Sequence, residues 1–107
     1  MKKIVIAAMS GALLLISGQG MAADIEAGKK KAGETCAACH GADGNSLAPN
    51  FPKLGGQHAS YLAKALNDYK SGGRKDAIMA GMAAVLSKED IENLAAYYAT
   101  QSGLRTR

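Results

Sequence analysis

Cys36-Ala37-Ala38-Cys39-His40 is the segment whose side chains and spacing point most directly to chemistry. Two thiols three residues apart, with an imidazole directly after the second, form the C-x-x-C-H pattern of covalent c-type haem attachment. At a helix end these residues stand at i, i+3 and i+4 and share one face. The thiols can then bond two vinyl groups along one porphyrin edge while the imidazole reaches the iron. Two thioether bonds keep such a cofactor on the chain even when it unfolds.

Three other uses of the pattern fit the rest of the chain less well. A thioredoxin-type dithiol expects a βαβ context, and no stretch here alternates with the period of a strand. A zinc site of Cys36, Cys39, His40 and His58 has enough ligands, but adjacent Cys39 and His40 on one metal depart from the usual pair spacing. A disulfide between Cys36 and Cys39 would close a tiny loop and restrain the unfolded chain little.

A haem that only carries electrons needs a sixth ligand to keep other molecules off the iron. Downstream of the motif the candidates are Met79, Met82 and His58. A thioether favours ferrous iron and raises the potential relative to a second imidazole. His58 reads as a surface residue at a helix start. Met79 and Met82 lie in a glycine-interrupted segment far along the chain, suited to crossing the opposite face of the ring.

The elements that must position these groups are helical. Asp24 to about Thr35 carries acids first and Lys29, Lys30 and Lys31 later, the order that suits a helix dipole, with Ile25, Gly28 and Ala32 at helical spacing. The three lysines read as a solvated face. From Gly41 to Gln57 glycines and prolines are too frequent for a helix or central strand, so an ordered loop is expected there. Helical periodicity returns from His58 to about Ser71, where Tyr61, Leu62, Ala65, Leu66 and Tyr69 mark one buried face, and Gly72-Gly73 stops it. A shorter segment holds Ile78, Met79, Gly81 and Met82. Ser87 and Asp90 then form an N-terminal capping signal, followed by the stripe Ile91, Leu94, Ala95 and Tyr98, with Gly103 expected to end the last helix. The fold class is all-α: several short helices and long loops around one covalent haem.

Ahead of this domain, Met1-Lys2-Lys3 precedes thirteen uncharged residues, Ile4 to Ile16, and small residues close the segment in Gly20-Met21-Ala22-Ala23. A charged start, about 7–15 apolar residues and a small-x-small end are the marks of a cleaved secretory signal. The run falls short of the ~20 apolar residues of a membrane span. Residues 1–23 are therefore expected to be a signal peptide, cut after Ala22 or Ala23, leaving residues 24–107 as the domain, with no integral span after processing. The whole chain has 13 basic and 9 acidic side chains; from Asp24 onward the basic ones fall to 11, for a net charge of +2. No basic patch interleaved with aromatics exists, so nucleic acid is not an expected partner. A chain this small buries little surface and needs a further stabiliser, which a large bound cofactor provides.

The segments Cys36-Ala37-Ala38-Cys39-His40-Gly41-Ala42-Asp43-Gly44-Asn45-Ser46, Pro49-Asn50-Phe51-Pro52-Lys53-Leu54-Gly55-Gly56-Gln57, Ile78-Met79-Ala80-Gly81-Met82 and Leu94-Ala95-Ala96-Tyr97-Tyr98 together resemble a class I c-type cytochrome. The likeness is to the cytochrome c-553 group and to one half of the dihaem cytochrome c4, with a single attachment motif here. The resemblance implies one haem c bound by Cys36 and Cys39, with His40 as proximal ligand and Met79, rather than Met82, as distal ligand. It also implies that the Pro49 carbonyl accepts a hydrogen bond from the proximal imidazole, and that Gly28 lies where the first and last helices cross, against Tyr97. The implied function is a soluble periplasmic one-electron carrier, not an enzyme. Its redox partners would be a membrane quinol-oxidising complex, a terminal oxidase or another reductase, with Lys53, Lys64, Lys70 and Lys75 as possible docking charges. The alternative is a haem enzyme or gas sensor with an open distal site, which requires both methionines to serve only as packing.

Overall fold

The computed structural model describes residues 22–104. The expected signal peptide lies almost wholly outside them. No helix among the described residues is long and apolar enough to cross a membrane.

Among the described residues five helices follow in order: α1 (Ile25–Thr35), α2 (Ala37–His40), α3 (Ala59–Ser71), α4 (Ala77–Ala84) and α5 (Lys88–Thr100). No strand occurs among the described residues, in keeping with the all-α expectation. Each of the two helices at the ends of the domain starts on a side-chain cap. Asp24 accepts a hydrogen bond from Ala27 N–H at 3.0 Å at the head of α1. At α5 the capping box is complete: Ser87 Oγ accepts from Asp90 N–H at 2.9 Å, and the Asp90 carboxylate accepts from Ser87 N–H at 3.0 Å.

α1 and α5 cross in close contact, and Gly28 is the reason they can. A Cβ built there would fall 2.0 Å from the Asn93 carbonyl oxygen and 3.0 Å from Tyr97 Cβ, distances no side chain tolerates. Asn93, itself buried, fastens the same crossing by accepting from Asp24 N–H at 2.8 Å. The α5 stripe is the centre of the core, with Ile91, Leu94, Ala95 and Tyr98 all essentially sealed from solvent alongside Ala32, Leu62, Leu86 and Tyr97. Burying side chains the size of Ile91 and Leu94 contributes about 2 kcal/mol each. On the outer face of α1, Lys29 and Lys30 are exposed, and Lys31 reaches Glu34 and Asp90 at 3.8 and 3.9 Å.

Two local expectations change. Gly103 does not end the last helix: α5 stops at Thr100, and Gln101 is already extended. Gly103 instead lets the tail lie against the loop, where a Cβ would meet Asn45 Oδ1 at 2.5 Å. On α3 the apolar stripe is only partly in the core. Leu62 is buried, but Tyr61 is half exposed, because this face fronts an open cleft.

Candidate haem site

Cys36 closes α1, its N–H donating to the Ala32 carbonyl at 2.9 Å, and it also opens α2. Its carbonyl then receives Cys39 N–H at 3.3 Å and His40 N–H at 3.0 Å, so one tight turn carries the motif. That turn faces a cleft made of two adjoining hollows of about 220 and 190 Å³. Cys36, His40, Pro52, Tyr69 and Met79 border both hollows, and Cys39 borders the second. Leu54, Leu62, Leu66, Leu94, Ala95 and Tyr98 supply apolar walls.

The imidazole is preset. His40 is 8% exposed, and its Nδ1 lies 2.8 Å from the Pro52 carbonyl oxygen. A carbonyl can only accept, so Nδ1 is the donor and Nε2 is the nitrogen left to ligate a metal. Nε2 has no hydrogen-bond partner among the described residues and is not sealed off. The acceptor is Pro52, which corrects the expectation of Pro49. Pro49 is exposed three residues upstream, before the turn at Phe51 that brings the chain back to His40.

Ser46 shapes that loop. It adopts φ +74°, its N–H donates to the His40 carbonyl at 2.7 Å, and its hydroxyl lies 2.6 Å from both the Ala48 and Phe51 carbonyl oxygens. α5 holds the loop from beneath: Tyr97 Oη donates to the Ala42 carbonyl at 2.7 Å, and the Tyr98 carbonyl receives Gly56 N–H at 3.0 Å. Gly44 sits so close to the Tyr98 ring that a Cβ would lie 2.7 Å from it.

The electrostatics favour neutral groups. Burial pushes the Cys36 thiol up, and a 3.3 Å contact with Thr35 Oγ1 only partly offsets it. Burial also drives the Tyr98 phenol well above its ordinary range. A sulfur bonded as a thioether, carrying no charge, suits such a wall.

On the other wall, Met79 is half-buried and borders both hollows, whereas Met82 borders only the second and is 46% exposed. Asp76 caps α4 by accepting from Ile78 and Met79 N–H, each at 3.0 Å. His58 stands exposed at the start of α3 and borders neither hollow. It does not join Cys36, Cys39 and His40, and no group of three or more His, Cys, Asp or Glu gathers for a metal among the described residues. Of the four lysines considered for docking, Lys53 alone borders the cleft. Lys64 pairs with Asp68 at 2.6 Å, and Lys70 donates to the Leu86 carbonyl.

Pro52, Ser46 and Asn93 are positioning residues that the sequence alone did not single out. Asp76, directly before the Ala77-Ile78-Met79 run, carried a readable capping signal.

Two thiols, an imidazole with a free Nε2 and a thioether across an apolar cleft fit a haem, and with the helical fold they define a c-type cytochrome domain. The chain belongs to the cytochrome c family, whose model, described as Cytochrome c, matches residues 25–102. It is 50% identical over 98 residues to cytochrome c4 of Stutzerimonas stutzeri, covering 82% of this chain and 46% of that protein. It is 51% identical over 83 residues to cytochrome c-554(548) of Halomonas halodenitrificans, covering 75% of this chain and 99% of that one. The crystal structure of reduced recombinant cytochrome c4 from Pseudomonas stutzeri superposes with a TM-score of 0.72 at 50% identity, over 78% of this chain and 48% of that one. The chain thus spans about half the length of the cytochrome c4 relatives it matches. Family and motif together give it one covalent haem c.

Proposed function

We propose that this chain is a periplasmic one-electron carrier whose haem iron is held between His40 and Met79. When bound, the haem supplies a ferrous/ferric couple. Cys36 and Cys39 fix one edge of the ring as thioethers. His40 presents Nε2 to the iron, and the Pro52 carbonyl keeps the imidazole from rotating and raises its basicity. Met79 would supply a thioether ligand, and the walls of Leu54, Leu62, Leu66 and Leu94 would exclude water, which together would raise the potential.

The observation that carries this reading is the sharing of both hollows by His40, with Nδ1 already committed, and Met79. Met82, exposed and confined to one hollow, is the weaker ligand. With His40 and Met79 both available to hold the iron, the site would have no place for a substrate, which favours a carrier over an enzyme. Its partners are redox proteins that give and take single electrons, of the quinol-oxidising, terminal-oxidase or reductase classes. Export follows from the charged start, apolar run and small-residue end of residues 1–23.

An optical redox titration of the purified, fully matured protein tests the proposal. The expected result is a reversible one-electron transition, with a sulfur-to-iron charge-transfer band in the oxidised form. Colourless protein, or colour extracted by denaturation, contradicts it.

A further inference from the structure

The first hollow has a polar end that haem attachment leaves unexplained. Lys53, Gln57, Tyr61 and Arg74 border this hollow and not the second, whereas Cys39 borders only the second. The local sequence builds that end. α3 stops at Gly72, whose φ of 89° reverses the chain, and Arg74 N–H then donates back to the Asp68 carbonyl at 3.1 Å. The returning guanidinium lies over the Tyr69 ring, 4.9 Å from its centroid, with Nη1 3.5 Å from Tyr61 Oη. Tyr61 and Tyr69 are eight residues apart on one face of α3, so a single helix supplies both supports.

Among the described residues no carboxylate borders this hollow, and its charged side chains are Lys53 and Arg74. The other titratable groups facing it are Tyr61 and Tyr69 from α3, Tyr98 from α5, and Cys36 and His40 from the attachment turn. Arg74 forms no ion pair among the described residues. A supported guanidinium at the lip of an apolar cleft, with no acid among the described residues facing it, is arranged for an anion that arrives with the ligand. A haem brings two such anions, since its propionates leave the ring from the edge remote from the vinyl groups that the thiols take.

Resting on the haem reading above, the geometry points to Arg74, propped by Tyr69 and Tyr61, as the residue that binds haem propionate, with Lys53 as a second cation from the facing loop. Arg74 is a cofactor-binding residue that also tunes the iron. Its guanidinium keeps the carboxylate ionised and offsets its charge. Without it, an uncompensated carboxylate near the iron favours the ferric form, and its protonation couples to reduction.

The test is an optical redox titration of holoprotein from about pH 5 to 8 in the parent, R74Q and R74K. In R74Q the ratio of oxidised to reduced protein at fixed potential rises about tenfold at pH 7, a fall in midpoint of about 59 mV for one electron, and the midpoint becomes pH-dependent. R74K, which keeps the charge, recovers most of the shift. A midpoint and pH slope in R74Q equal to the parent's overturn the proposal and leave Arg74 as a fold-stabilising stack on Tyr69. Should R74Q fail to accumulate, Tyr69→Leu is titrated instead: a smaller shift of the same sign supports the proposal, and an unchanged midpoint overturns it. Parent protein without covalent haem defeats the cofactor reading and this proposal together, and is seen before any variant is titrated.

Discussion

On the side of the cleft that carries His40, the chain is held by a dense set of bonds between the loop, the attachment turn and α5; on the side that carries Met79, a helix of eight residues rests on α3 and leaves most of its side chains exposed. The loop is tied at Ser46 to His40 and Phe51, at Ala42 to Tyr97 and at Gly56 to Tyr98. On α4 only Ala83 is buried, while Ile78 and Met82, with Val85 at the helix end, are exposed at 64%, 46% and 74%. The helix packs along α3, with the Asp76 cap at one end and buried Leu86 just past the other, whose carbonyl also receives Lys70. The imidazole is therefore oriented by the fold itself. Under the proposed ligation, the Met79 thioether would depend more on the bond it makes to the cofactor. Changes on the first side should register mainly as lost stability, and changes on the second mainly as altered ligation.

The largest effect is expected at the crossing that braces the rigid side. Gly28→Val drives a branched side chain into the Asn93 backbone and should cost about 3 kcal/mol, read as a lower urea midpoint of the holoprotein. On the other wall, Met79→Ala should leave stability nearly intact but change the spectrum. Met82, about one turn further on, can partly replace the missing sulfur, so partial low-spin character remains, and the Met79→Ala/Met82→Ala double variant becomes high-spin. Loss of the charge-transfer band in Met82→Ala alone would reverse the assignment.

A smaller loss is expected at Ser46. Ser46→Ala removes a hydroxyl shared between two loop carbonyls, for about 1–2 kcal/mol by urea unfolding, and loosens the segment that presents Pro52 to His40. The smallest effect is at the start of α5. The Asp90 carboxyl is held below its usual range, chiefly by accepting Ser87 N–H. A depressed carboxylate stabilises the fold above its unfolded pKa of about 3.9, and that contribution is lost as pH falls through the lower folded value. The stability gap between the parent and Asp90→Asn should accordingly be full at pH 7 and shrink below about pH 4, as unfolding midpoints at the two pH values will show.

What the sequence made legible follows the same division. The attachment turn, the capping box at Ser87 and Asp90 and the buried stripe of α5 are local patterns that residue type and spacing reveal, whereas the Gly28 crossing followed from the family resemblance. The proximal acceptor was misplaced because Pro49 and Pro52 sit three residues apart in one loop. Which carbonyl reaches His40 depends on the path through Ser46, whose positive φ no residue type announces. The apolar period of α3 was correct as a period, but it cannot say whether chain or cofactor covers the face, and here most of it borders the cleft. Gly72 showed where α3 stops, though not that the chain returns Arg74 over Tyr69. Asn93 gave no signal, since its role depends on a partner 69 residues away.

Carbon monoxide offered to the reduced, fully matured protein at neutral pH probes the central claim, that the chain itself fills both sides of the iron. With His40 and Met79 in place the visible spectrum should stay unchanged over minutes. Rapid, tight binding would mean an open distal face and an iron that Met79 does not hold.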